Sequence, residues 1–325
     1  MLNESPKVSE NSRARVLTAI EVLGYQPNAS ARGLAANTTH TIALVFPKLS
    51  GPFFSALIHG AETEASRSNY HLLIFGASGE SPAGSHQTLG MLTSKVDGLI
   101  LASPVLSRAY FEDVKRYELP VVVLGEEPAG RRVDSLQPDN VGGAEMIVRH
   151  LIQHGYRRIA MIKGPADQMH ANQRELGFRK ALQGHKIACL EELMIPGAFT
   201  ENSGYATMSQ LLRQAPVPQA VFCANDQMAI GAMAAIYDLG LRVPQDIALV
   251  GFDDIETARY LKPPLTTVQQ DMFGQGQLAV RMLLARVNGT EAPVETKTLS
   301  TSMMIRRSCG CSPAAVIPEE EQVSR

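Results

Sequence analysis

Thr41-Ile42-Ala43-Leu44-Val45-Phe46 carries five consecutive apolar side chains after its threonine. So short an unbroken apolar run is what a strand covered on both faces requires; a strand with one wet face would alternate. The sequence downstream supplies its setting. Residues 52–66 read as a helix and His71-Leu72-Leu73-Ile74-Phe75 as a second strand. Residues 84–95 read as a helix, 98–102 as a strand, 109–117 as a helix and 120–124 as a strand. Strand, helix and strand in rotation imply parallel strands joined by right-handed crossovers.

The rhythm then restarts. Helices are expected over 142–154, 173–183, 203–214, 226–239 and 273–288, with strands over 158–162, 220–223, 247–251 and 296–305. Two successive doubly wound units predict an α/β fold of two similar parallel-sheet lobes. Ligands of such sheets sit beyond the carboxyl ends of the strands, here in a cleft between lobes. Upstream of Thr41 the grammar differs. Ser9 is placed to cap a helix whose apolar positions are Val16, Leu17, Ile20 and Leu23, with Gly24 to end it. A short helical stretch over 29–36 follows, and residues 313–325 are polar, Glu-rich and expected to be disordered.

At 325 residues and 45% hydrophobic content the chain is globular and long enough for more than one core. No run of about 18 apolar residues suggests a membrane span, and the polar start does not read as a secretory signal. The cysteines, Cys189, Cys223, Cys309 and Cys311, show no zinc-type C-x-x-C spacing. A reducing cytoplasm is the expected location. Net charge is −2, and over residues 1–40 Lys7, Arg13, Arg15 and Arg32 stand against Glu4, Glu10 and Glu21, so even this head is only faintly basic.

Three segments go beyond generic α/β. One joins Val8-Ser9-Glu10 to Gly24-Tyr25-Gln26-Pro27-Asn28 and Ala31-Arg32-Gly33-Leu34. Another holds Asp139-Asn140-Val141-Gly142-Gly143-Ala144, Gly155-Tyr156-Arg157-Arg158-Ile159-Ala160 and Gly164-Pro165. The last holds Ala224-Asn225-Asp226-Gln227-Met228-Ala229, Gly251-Phe252-Asp253-Asp254 and Pro264-Leu265-Thr266-Thr267-Val268. In this order the chain resembles the LacI/GalR family of bacterial transcription regulators, from Met1 to about Ser308.

The resemblance implies a periplasmic-binding-protein-like core preceded by a helix-turn-helix head and a hinge helix. It also implies a homodimer or tetramer, and a small effector, a sugar or sugar derivative, that controls affinity for operator DNA. The expected divisions are a truncated head with its third helix only over 1–27, a hinge helix and linker over 28–39, one lobe over 40–136 plus 269–298, the other over 137–268 plus 299–308, and a disordered tail over 309–325. Met1-Leu2-Asn3 matches only the tail of the family's recognition helix, so weak operator recognition is expected of this sequence as written. A misplaced start, a trimmed chain, a lost head and a sensor without DNA function are the readings of that beginning.

Leu34 corresponds to the hinge wedge that enters a minor groove, or is an ordinary apolar face. Asn28, Ala31 and Arg32 accompany it as DNA-binding candidates, with a solvated face as the alternative. Arg174 matches the family arginine that grips effector hydroxyls, a role suited to a rigid fork of donors. Asn225 and Asp253 follow strand ends and complete a sugar-type polar set, with Asp226 expected to cap the next helix and Asp254 to be structural. Phe53 and Phe54 are candidates to lie against a sugar face, core packing being their alternative. Phe222, Glu126 and Glu127 are weaker effector candidates.

Catalytic motifs are missing: the sequence has no P-loop, H-E-x-x-H or G-x-S-x-G. Cys309-Gly310-Cys311 is expected to be inert and the eight histidines to form no ligand set, so no enzyme activity, cofactor or metal is expected. A solute-binding receptor of a transport system is the second reading and a sugar-processing enzyme the third. The missing signal and the hinge-like segment weigh against the receptor.

Overall fold

A computed structural model describes residues 9–23, 38–46, 53–76, 92, 94–102, 119–125 and 133–311. The elements are α1 (Glu10–Leu23), β1 (Thr41–Phe46), α2 (Phe53–Arg67), β2 (His71–Gly76), β3 (Gly98–Ala102), β4 (Val121–Leu124), β5 (Asp134–Pro138) and α3 (Asn140–Gln153). They continue with β6 (Ile159–Lys163), α4 (Met169–Gly184), β7 (Met194–Pro196), α5 (Glu201–Leu211), β8 (Ala220–Cys223) and α6 (Asp226–Asp238). The last are β9 (Ala248–Asp253), β10 (Thr266–Gln269), α7 (Met272–Val287), β11 (Thr296–Leu299) and β12 (Ser302–Met304).

Among the described residues two six-stranded sheets result, ordered β11-β5-β4-β3-β1-β2 and β12-β10-β9-β8-β6-β7. All described pairings are parallel except β10 with β12. In β1 the apolar run divides by parity. Ile42, Leu44 and Phe46 pack on one face with α2 and α7, while Ala43 and Val45 pack on the other with Leu99 and Leu101. That division is the physical content of a doubly covered strand. The second sheet is enclosed by α3, α4, α5 and α6, with Phe178 and Phe222 stacked 6.4 Å apart in its core.

The chain passes between the sheets three times: after β5, after β10 and after β11. The first two passages are built alike. Asp139 and Asp271 each cap the following helix by accepting from the amide three residues on, Gly142 and Gly274, both at 2.8 Å. A Cβ on either glycine would lie 2.1 Å from the capping carboxylate, so the cap itself requires glycine there. The third passage corrects the single strand expected over 296–305. It is two strands, β11 in the first sheet and β12 in the second, and β5, β7 and β10 are strands the sequence reading did not name.

Ser9 caps α1, its Oγ accepting from the Ser12 amide at 3.3 Å. The helices expected over 29–36 and 109–117, most of 84–95 and the tail over 313–325 lie outside the described residues, as do Asn28, Ala31, Arg32, Leu34, Glu126 and Glu127. Among the described residues no helix is long and apolar enough to cross a membrane.

Candidate functional site

The carboxyl ends of β5, β8, β9 and β10 converge on a buried polar cluster. Asp253 ends β9 with φ 118°, and Asp254 follows with φ 55°. Both lie in the left-handed half of backbone space, which non-glycine residues enter at a cost and which recurs at ligand sites. This turn aims Asp253 inward, where its Oδ1 accepts from Gln270 Nε2 at 2.6 Å and faces Arg174 Nη2 at 3.2 Å.

Arg174 belongs to the second turn of α4, not to its start as the sequence suggested, because the helix begins at Met169. It is 4% exposed. Its Nε donates to Asn140 Oδ1 at 2.9 Å and its Nη1 to the carbonyl of Ala224. The guanidinium lies 3.8 Å from the centroid of the Phe252 ring and 5.9 Å from that of Phe199. Asn140 in turn donates to Gln173 Oε1 at 2.8 Å and contacts His170 Nδ1 at 3.1 Å. Every bond that fixes the guanidinium plane is therefore itself fixed, the kind of support a binding group needs.

Burial dominates the electrostatics. It raises the Asp253 carboxyl to about 6, against the opposing pull of Arg174 and Gln270. It lowers His170 to about 4, with Arg174 adding to the effect, so that imidazole is neutral at pH 7. Burial likewise lowers Arg174, opposed by Asp253 and Asp226. The site thus holds one cation stacked on an aromatic ring, one titratable carboxylate and several amides, a set matched to hydroxyls and heterocyclic nitrogens.

The helix-capping assignment at 225–226 is reversed. Asn225 is the N-cap of α6, its Oδ1 accepting from Met228 N at 2.9 Å while its Nδ2 donates to Phe199 O at 3.2 Å. Asp226 is fully buried and accepts from Thr267 Oγ1 at 2.5 Å and Ile255 N at 3.0 Å. Burial first, then Asp253, raise its carboxyl well above the usual range. An amide serves as a cap here because its NH2 group still reaches the Phe199 carbonyl. The carboxylate instead fastens the strained turn after β9 to β10.

Arg174, Asn225 and Asp253 are brought to one place. Phe54 is half-buried in the other lobe, 4.7 Å from Phe46 across the face of β1. Phe53 opens α2, and its side chain is outside what is described. Phe222 is fully buried. Asp254 is structural: it accepts from Arg306 Nη2 at 2.7 Å and Gln269 Nε2 at 3.2 Å. The sequence reading missed Asn140, His170, Gln173, Phe199, Phe252 and Gln270. Asn140, Phe252 and Gln270 all sit at or just past strand ends, so the rule that found Asp253 also reaches them.

Comparison with known proteins bears on this geometry. Residues 148–309 match the model of the periplasmic binding protein-like domain. The chain is 34% identical over 309 residues to the ribose operon repressor of Escherichia coli strain K12, covering 95% of this chain and 94% of that protein. Among solved structures it resembles the transcriptional regulator CelR in complex with cellobiose, at TM-score 0.77 and 32% identity over 94% of this chain and 93% of that one. It also resembles the lac repressor dimer bound to operator and the anti-inducer ONPF, at TM-score 0.85 and 28% identity over 95% and 93%.

Proposed function

Because the chain belongs to the LacI family of transcription regulators, we propose that it is an effector-responsive repressor whose small-molecule ligand, a sugar or sugar derivative, binds between its lobes. The observation that carries this reading is Arg174, stacked on Phe252 and braced by Asn140, beside Asp253 at the strained end of β9. A fixed guanidinium supplies donors to vicinal oxygens, a neighbouring carboxylate accepts from hydroxyls, and Phe199 offers an apolar surface to a ring. Asn225 adds its amide to this set, and Phe53 and Phe54 are the aromatic contribution from the other lobe.

Three passages of chain join the lobes, so a ligand that favours one interlobe angle shifts a population common to the whole molecule. In a dimer that angle sets the spacing of the two segments around residues 28–39, where Asn28, Ala31, Arg32 and Leu34 meet operator DNA. CelR holds cellobiose, and the lac repressor binds operator as a dimer; both relationships support the reading. The role is regulatory rather than enzymatic.

The test is calorimetric titration of the chain with pentoses, hexoses, disaccharides and purines, in parallel with Arg174→Lys. Saturable binding of a sugar that the variant loses is expected. Turnover of any compound, or binding indifferent to the substitution, would refute the proposal.

A further inference from the structure

The sequence presented Cys309-Gly310-Cys311 as inert and the histidines as unpatterned, yet the fold brings these residue types together. His150 and His154 lie four residues apart at the end of α3, on one helical face, with ring centroids 4.7 Å apart. Cys309 and Cys311 follow β12 on a loop laid across that helix end. His154 Nε2 is 3.2 Å from Cys311 Sγ, and His150 Nε2 is 3.7 Å from it. One ligand atom from each of the four residues lies within 4.8 Å of all the others.

The loop is held in this place by bonds unrelated to the thiols. Ser308 Oγ donates to Leu249 O at 2.6 Å and accepts from Thr266 N at 2.8 Å. Tyr156 Oη donates to Cys309 O at 3.3 Å. Gly310 has φ 99°, and a Cβ there would meet Tyr156 Oη at 2.8 Å, so conformation and space both demand glycine between the cysteines. Thr266 Oγ1 donates to Cys309 Sγ at 3.1 Å, which fixes where that sulfur sits.

We propose that His150, His154, Cys309 and Cys311 form a tetrahedral site for a zinc-class transition-metal ion. Ligand–metal distances of about 2.0–2.3 Å imply edges between ligand atoms of roughly 3.3–3.8 Å. The two sulfur–nitrogen distances are already close to that range, and any longer edge has to contract by at most about 1.5 Å. Two thiolates neutralise a divalent ion, so the centre carries no net charge into its half-buried setting. His150 and Cys309 are buried, Cys311 is half-buried and His154 is exposed, which leaves a path for the ion from solvent. Binding displaces the thiol protons to solvent and ties the segment after β12 to the first helix of its lobe.

The experiment uses the full chain, stripped with chelator and kept reduced, titrated with cobalt(II) and then with zinc(II). Expected are one ion per chain, the thiolate-to-cobalt charge-transfer band with intense tetrahedral ligand-field bands, and their loss on adding zinc. Cys311→Ser and His154→Gln, which change accessible side chains, should each weaken binding at least about tenfold. Cys189→Ser should leave it unchanged, with circular dichroism verifying that each variant is folded. The proposal is overturned if the reduced chain takes up no stoichiometric metal, if Cys311→Ser and His154→Gln bind as tightly as the parent, or if the cysteines prove to form only a disulfide whose reduction restores no metal uptake.

Discussion

At the guanidinium of Arg174 a carboxylate, a backbone carbonyl, an amide and an aromatic face all meet. Removing such a group differs from reshaping it. Arg174→Ala leaves Asp253 buried beside a void and should cost roughly 3–5 kcal/mol of folding stability, read by urea denaturation. Arg174→Lys keeps the charge but not the fork. It should weaken effector binding by about 2 kcal/mol or more, about thirtyfold in Kd by calorimetry. Asp253 makes the site pH-dependent. With its carboxyl at about 6, effector affinity should be flat above pH 7 and fall as pH drops through 6, and Asp253→Asn should abolish that slope. The same raised value works against the fold. Asp253 favours the folded state fully only below its unfolded pKa of about 4 and loses that contribution as pH rises through 6. The Asp253 position was readable because strand-end rules are local. The Asn225 and Asp226 roles were not, because either side chain suits a cap and only the position of Thr267 and Ile255 selects between them.

At the scale of elements, the matched caps at the first two lobe passages are the most specific feature. Asp139→Ala removes one amide acceptor and should cost about 1 kcal/mol. Gly142→Ala should cost a similar amount alone, because its methyl displaces the Asp139 carboxylate. In the Asp139→Ala background it should be neutral or stabilising by up to about 1 kcal/mol, since alanine is the better helix former. A double-mutant cycle in urea measures this; additive costs would show that cap and glycine act independently. Periodicity revealed most helices and inner strands. It failed at 296–305, where one extended run serves two sheets, and at β5, whose Asp134-Ser135-Leu136-Gln137-Pro138 lacks an apolar run. Asp134 can be buried there because Arg286 pairs with it at 2.6 Å from α7, 152 residues away, and the Glu295 amide donates to it at 2.9 Å.

At the scale of the whole molecule, each lobe is assembled from non-contiguous stretches, so ligand bound between them stabilises one folded state common to both. At a hundredfold excess over Kd, effector should add about 2.7 kcal/mol to unfolding, measured as a shift of the thermal transition. Arg174→Lys should show little shift at the same concentration. The sequence by itself determined the doubly covered strands, the order of the repeating units and the strand-end positions of Asn225 and Asp253, because burial pattern and turn chemistry are written within a few residues. Tertiary structure alone decided that Asn140, His170 and Gln270 brace or flank Arg174. It alone set two histidines on the end of α3 against Cys311, which lies 157 and 161 residues onward, and its neighbour Cys309, because such meetings depend on how sheets and helices pack.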